Sequence, residues 1–125
     1  MIDEKVQAIL KGTGKKVYLS SIGEEKDCLG LFHAPPARQV NSYKLGGQDC
    51  SITKEFAYDV QIVGSESHID SQKLAQQTYN ILRDYQINSN GISFFKMLDD
   101  EPICIGRNDK NICNFLVRTN VIYYI

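Results

Sequence analysis

Two histidines, four cysteines and one acidic run are the residues of this 125-residue chain whose types could do chemistry. His33 lies within reach in sequence of Ser20, Ser21 and Cys28, any of which would be a nucleophile if the imidazole took its proton. Nothing around these residues has the form of a nucleophile elbow or another local catalytic motif. His68 falls in a turn just before a helical pattern. Two histidines so far apart in sequence more often sit at a polar surface or bond a neighbouring edge group. Cys28, Cys50, Cys104 and Cys113 include no Cys-x-x-Cys and no Cys/His spacing of zinc type. They read as free thiols, mostly buried, in a reducing compartment, with Cys50 exposed in a Gly-rich polar stretch.

Asp99-Asp100-Glu101 could hold a hard cation, but the glycine and closing glutamate of an EF-hand are not in place. A solvated acidic turn is expected there. Gly64-Ser65-Glu66-Ser67 links a strand to a helix, where many phosphate loops sit. It lacks the second glycine and the Lys-Ser/Thr pair of a P-loop, and it lacks Gly-x-Gly-x-x-Gly. Ser67 and Asp70 have the spacing of a capping box, with aspartate in place of glutamate, so a plain helix start is expected. No catalytic site, no cofactor and no metal follow from these spacings.

The charge balance also narrows the partners. Fourteen basic and fifteen acidic side chains leave a formal charge of −1, which gives no field to draw in nucleic acid. Arg38, Lys44 and Lys54 could touch phosphate, but acidic residues are interspersed and a solvated loop is the expectation. No apolar run approaches the roughly 20 residues that span a bilayer. Met-Ile-Asp-Glu-Lys at the start is polar and acidic, which argues against a signal peptide.

The elements that must position these groups are legible in part. Residues 1–125 are read as one domain. Phe56, Tyr58, Val60 and Ile62 alternate with Ala57, Asp59, Gln61 and Val63, the two-residue period of a strand. Leu74, Thr78, Ile81, Leu82 and Tyr85 then fall on one helical face, which predicts a helix over residues 70–85. A short amphipathic helix is expected over residues 2–10, with Asp3 and Glu4 suited to its N-terminal dipole and Gly12 and Gly14 ending it. Strands are expected at 17–22, 28–34 and 92–98, a short apolar piece at 103–106, and a long last strand at 113–124. In that last strand Tyr123 and Tyr124 point to opposite faces, so one of them can face a partner.

Between Pro35-Pro36 and the central strand lies a polar stretch, residues 38–54, with a turn at Gly46-Gly47 and weak strand signals on either side. It has little core of its own, so its order is expected to come from partners. The fold class is therefore α+β: a mixed, mostly antiparallel sheet with one main helix on one face and a short N-terminal helix.

The order of elements resembles the tail terminator, or tail completion, proteins of long-tailed phages and prophages, often labelled minor capsid proteins. The parts that carry the likeness are Gly46-Gly47, the strand-to-helix segment ending in Tyr79-Asn80-Ile81-Leu82, the Pro102-to-Gly106 piece and the aromatic run Val121-Ile122-Tyr123-Tyr124. The resemblance covers most of the chain. It implies a non-enzymatic subunit of a hexameric ring that caps the tail tube, ends tail polymerisation and forms the joint to the head connector. Its partners would be other copies of itself, the tail tube protein and a head-completion protein. Its place would be the head-proximal end of the tail, after assembly in the host cytoplasm. Contacts are expected at Arg38, Tyr43, Lys44, Gly46, Gly47, Lys54 and Tyr124. Two other classes compete. A small hydrolase would need a deep pocket holding His33 or His68 beside Ser or Cys. A small monomeric regulatory or binding domain, if it bound nucleic acid, would need a basic face.

Overall fold

The computed structural model describes residues 2–19, 26–38, 53–85 and 91–124. The chain runs through helix α1 (Ile2–Leu10), a 3-10 turn (Lys11–Thr13), strands β1 (Lys16–Leu19) and β2 (Cys28–His33), and a second 3-10 turn (Pro36–Arg38). Strand β3 (Thr53–Val63), helix α2 (His68–Arg83), and strands β4 (Ile92–Met97), β5 (Ile103–Arg107) and β6 (Cys113–Tyr124) follow. The six strands form one sheet in the order β1-β2-β3-β6-β4, with β5 also on β6. Only β1 and β2 pair in parallel. This is the α+β architecture that the sequence predicts.

The two longest strands are the spine. β3 and β6 pair from Thr53↔Tyr124 to Val63↔Asn114 without a break. Their alternation sends Tyr58, Val60 and Ile62 of β3, and Phe115, Val117 and Val121 of β6, to the face that carries the helices. Leu29 and Leu31 of β2 and Phe95 of β4 extend that apolar layer in register. Val6 and Leu10 of α1, and Leu74, Ala75, Tyr79 and Leu82 of α2, close over it. Each fully buried aliphatic side chain contributes about 1.5–3 kcal/mol. A smaller cluster of Cys28, Val63 and Ile112 lies apart, with Tyr18 against it.

Helix α2 starts two residues before the expected position. Ser67 is its N-cap, and its hydroxyl accepts from the Asp70 amide at 3.3 Å. The helix ends at Arg83 because Asp84 leaves the helical region, with φ −91° and ψ 4°. Leu74 and Leu82 are buried as the periodicity requires, while Ile81 is half-buried against Gly12. Gly14, at φ 79°, supplies the left-handed residue that closes the first helical turn region.

Gly64 has a different reason to be glycine. A Cβ there would lie 2.1 Å from Ser71 Oγ, 2.4 Å from its Cβ and 3.0 Å from its Cα. That closeness lets Ser71 knit the strand-to-helix turn. Its hydroxyl accepts from the Ser65 amide at 2.9 Å and donates to the Ser67 carbonyl at 2.7 Å.

Several expectations move. The first strand covers 16–19, and residues 20–22 of the expected run lie outside the described residues. The central strand begins at Thr53, so Lys54 belongs to the sheet rather than to a loop. The apolar piece near residue 103 is a true strand, β5, paired to β6. The expected acidic turn is only partly solvated, because Asp99 is clamped by Arg118. The Gly46-Gly47 turn lies outside the described residues.

Candidate functional site

The alternation of β3 and β6 leaves their second set of side chains on the face away from the helices. Glu55, Ala57, Asp59, Gln61 and Val63 stand there, opposite Ile122, Asn120, Arg118, Leu116 and Asn114. No described helix packs on this face. Its centre is a line of charges. Asp59 faces Arg118 across the strand pair. The Arg38 guanidinium, delivered by the 3-10 turn after Pro35, is ion-paired with Asp59. Arg118 in turn donates to both oxygens of Asp99, at 2.9 Å and 2.6 Å. The two-point bond from Arg118 holds the Asp99 carboxyl below the usual carboxylate range and pushes the Arg118 guanidinium up.

One step along the strands, Asn120 donates to Glu55 at 2.6 Å. Two polar atoms on this face are buried without a partner: Arg38 Nη2, a donor, and Asn120 Oδ1, an acceptor. Such atoms cost about 1–3 kcal/mol when left unpaired. Apolar groups border the line. Phe32 faces Asp59 from β2. Phe94 opposite Ile122 is 47% exposed, and Tyr124 at the strand end is 44% exposed.

The two guanidinium groups of this face stay charged at any working pH and pair with Asp59 and Asp99. What the face carries is fixed charge of both signs and flanking aromatic area. Those are the attributes of a contact surface.

The two histidines stand elsewhere. On the helix-bearing side, Asp3 of α1 takes the Tyr58 hydroxyl as donor and lies 3.0 Å from His33 Nε2. The rings of His33, Phe56 and Tyr58 pack together, with His33 and Phe56 centroids 4.9 Å apart. Burial and the bond to Asp3 push the Tyr58 phenol well up. Burial alone would raise the Asp3 carboxyl, but the bonds from Tyr58 and His33 hold it below its ordinary value. So Asp3 serves less as a dipole partner than as the clasp between α1 and the sheet.

The sign of the pH effect follows. The folded-state pKa of Asp3 is depressed, so its contribution is complete above the ordinary carboxylate range and is lost as pH falls through the lowered value. Asp3→Asn is expected to shallow the fall in Tm below about pH 4, where carboxylates of ordinary pKa begin to protonate. Asp99 titrates in the same window, so the slope should shrink rather than vanish. An unchanged acid limb in thermal melts from neutral to acid pH would show that Asp3 carries no such linkage.

His68 lies at the start of α2, its Nδ1 4.0 Å from the buried Cys113 sulfur. It borders a cleft of about 200 Å³ with Gln72, Gln76, Glu101, Pro102, Cys104 and Phe115. Among the described residues His33 bonds to Asp3 and His68 lies against Cys113, so the two histidines are not brought together and neither bonds a serine. Among the described residues no group of three His, Cys, Asp or Glu side chains could hold a metal ion. No described helix is long and apolar enough to cross a membrane.

Of the expected contact residues, Arg38 and Tyr124 share the face turned away from the described helices. They are separated by the strand length from Asp59 to Thr53, roughly 20 Å at 3.3–3.4 Å per residue. Arg38 is an ion-pair partner of Asp59, not a solvated loop residue. Lys54 pairs with Tyr123 and faces the helix side. Tyr43, Lys44, Gly46 and Gly47 lie outside the described residues. Sequence reading missed Asp59, Arg118 and Asn120, and read Asp99 as part of a solvated acidic turn. The signal present was polar alternation along both long strands, but it says nothing of which acid meets which base until the register is known.

A scan of the chain against protein-family models matches none, and a search of curated proteins gives no significant match.

Proposed function

We propose that this protein is a structural subunit of a long-tailed phage or prophage particle, a tail terminator that works as a ring. In this reading six copies cap the tail tube, stop its growth and offer the joint to the head connector. The observation that carries the proposal is the sheet face turned away from the described helices. It holds Arg38 Nη2 and Asn120 Oδ1 buried without partners, and exposes Phe94 and Tyr124 at one end, on a scaffold of two long strands. Unpaired buried polar atoms are costly in a lone molecule and are relieved when a neighbour supplies the missing acceptor and donor. A ring of identical subunits does this head to tail, each copy giving one surface and receiving another. The order of elements along the chain, which resembles the terminator proteins, supports the same role.

The polar stretch after Arg38 enters the test. Deleting residues 45–50 should leave the subunit folded, lower the yield of rings and leave tails unjoined to heads. The readouts are far-ultraviolet circular dichroism, molar mass in solution and electron microscopy of particles. A deletion variant that completes infectious particles at the normal level would sink the proposal. So would a chain that stays monomeric both alone and on mature tails.

A further inference from the structure

Helix α2 and the start of strand β5 leave a cleft of about 200 Å³ between them. Its helix wall is a ladder. His68, Gln72 and Gln76 follow at four-residue spacing, so all three project from one side of α2. The facing wall is Glu101, Pro102 and Cys104. Phe115 of β6, which pairs with Cys104 of β5, lies between the two walls. The turn before β5 is tied to the helix, because Tyr79 donates to the Asp99 carbonyl at 2.7 Å. The walls are therefore held in place by the fold.

The lining decides what fits. Among the described residues it carries one carboxylate, Glu101, and no lysine or arginine. Glu101 is exposed, and no ion pair or side-chain hydrogen bond of its carboxylate occurs among the described residues. Gln76 donates its amide nitrogen to Asn80 Oδ1 at 2.9 Å, which leaves its carbonyl oxygen as an acceptor. The rings of His68 and Phe115, with centroids 5.9 Å apart, add an aromatic side.

An unpaired carboxylate beside amide carbonyls and aromatic surface suits a cation. A metal ion is a poor fit, since no group of three His, Cys, Asp or Glu among the described residues could hold one. An alkylammonium is compact and strongly hydrated, and aromatic surface does not replace that water. A guanidinium is flat and weakly hydrated. It meets a carboxylate through two parallel bonds while its face lies on a ring. Sites for drug-sized ligands run to about 300–1,000 Å³, so this smaller cleft suits one such head group on a short chain.

We propose that the cleft between α2 and β5 binds a small molecule through a guanidinium group. Glu101 accepts two of its N–H bonds, the Gln76 carbonyl accepts a third, and the rings of His68 and Phe115 carry its face. The site is read from the cleft alone and does not depend on the ring role.

Cys104 lines the same cleft and reports its occupancy. The test uses the full chain with Cys50→Ser, since Cys28 and Cys113 are buried and Cys104 is exposed. Iodoacetamide alkylates the Cys104 sulfur and releases iodide. Butylguanidinium chloride should slow that reaction at least fivefold at saturation, with a half-point on the order of 1 mM. The side-chain amide signals of Gln72 and Gln76 in nitrogen-15 spectra should shift with the same half-point. Butylammonium should need about tenfold more, and sodium chloride at equal ionic strength should have no saturable effect. Glu101→Gln should raise the half-point about tenfold, because it removes the charge-assisted bonds. Tm measured on that variant shows that it is folded. Amide signals that do not shift overturn the proposal, whatever the thiol does. So does a Glu101→Gln variant that binds as tightly as its parent, or butylammonium binding as tightly as butylguanidinium.

Discussion

Leu82→Ala should destabilise the fold by about 2–5 kcal/mol, the range for truncating a fully buried leucine. Leu82 is 0% exposed and sits where α2 meets the sheet, in the same cluster as Val6, Leu10 and Phe95. The helix is clamped at its start by the Ser67 cap and at Tyr79, whose hydroxyl donates to the Asp99 carbonyl at 2.7 Å. It therefore cannot settle into the space left by the side chain, which places the loss in the middle or upper part of the range. A fall in Tm on the order of 10 °C is expected. Ile81→Ala is the control. Ile81 is only half-buried, and its loss should be less than half as large. Equal losses in urea melts at the two positions would mean that the face of α2 turned to the sheet has been misassigned.

Gly64→Val should cost about 3 kcal/mol, at the upper end of what overpacking does. Ser71 occupies the space that any Cβ at residue 64 needs, and part of what lies there is helix backbone. The backbone must therefore open, and with it go the Ser71 bonds to Ser65 and Ser67. A double-mutant cycle isolates the cause. Gly64→Ala alone should be clearly destabilising. In a Ser71→Gly background the same change should cost markedly less, because the Oγ and Cβ it strikes are gone. Strict additivity of the two changes would rule out the steric account.

How much of this was legible beforehand depends on whether a feature is local. The face of α2 and its Ser67 cap were legible, since helix period and capping are read within a few residues. The two faces of β6 were legible for the same reason. Gly64 was not, because nothing in a strand-to-helix turn says which side chain seven residues later will press on it. The Arg38–Asp59 and Arg118–Asp99 pairs join residues far apart in sequence, so they exist only once β3 and β6 are in register. The clasp of Asp3 on Tyr58 is likewise set by how α1 lies on the sheet. The piece at 103–106 read only as a short apolar run. It is a strand at the sheet edge, where exposure is set by topology and not by composition.

The position of β6 in the sheet has a consequence for how the chain is made. It is the last described strand to be synthesised, yet β3, β4 and β5 all pair with it. Before it leaves the ribosome, β3 has one side unpaired, β4 and β5 have no partner, and the apolar face of α2 has only part of its floor. Closure of the sheet must therefore wait for β6, and the nascent chain spends that interval with strand edges and isoleucines open to other chains. A ribosome-stalled chain ending before Cys113 should be protease-sensitive and held by chaperones, while one carried well past Tyr124 should not.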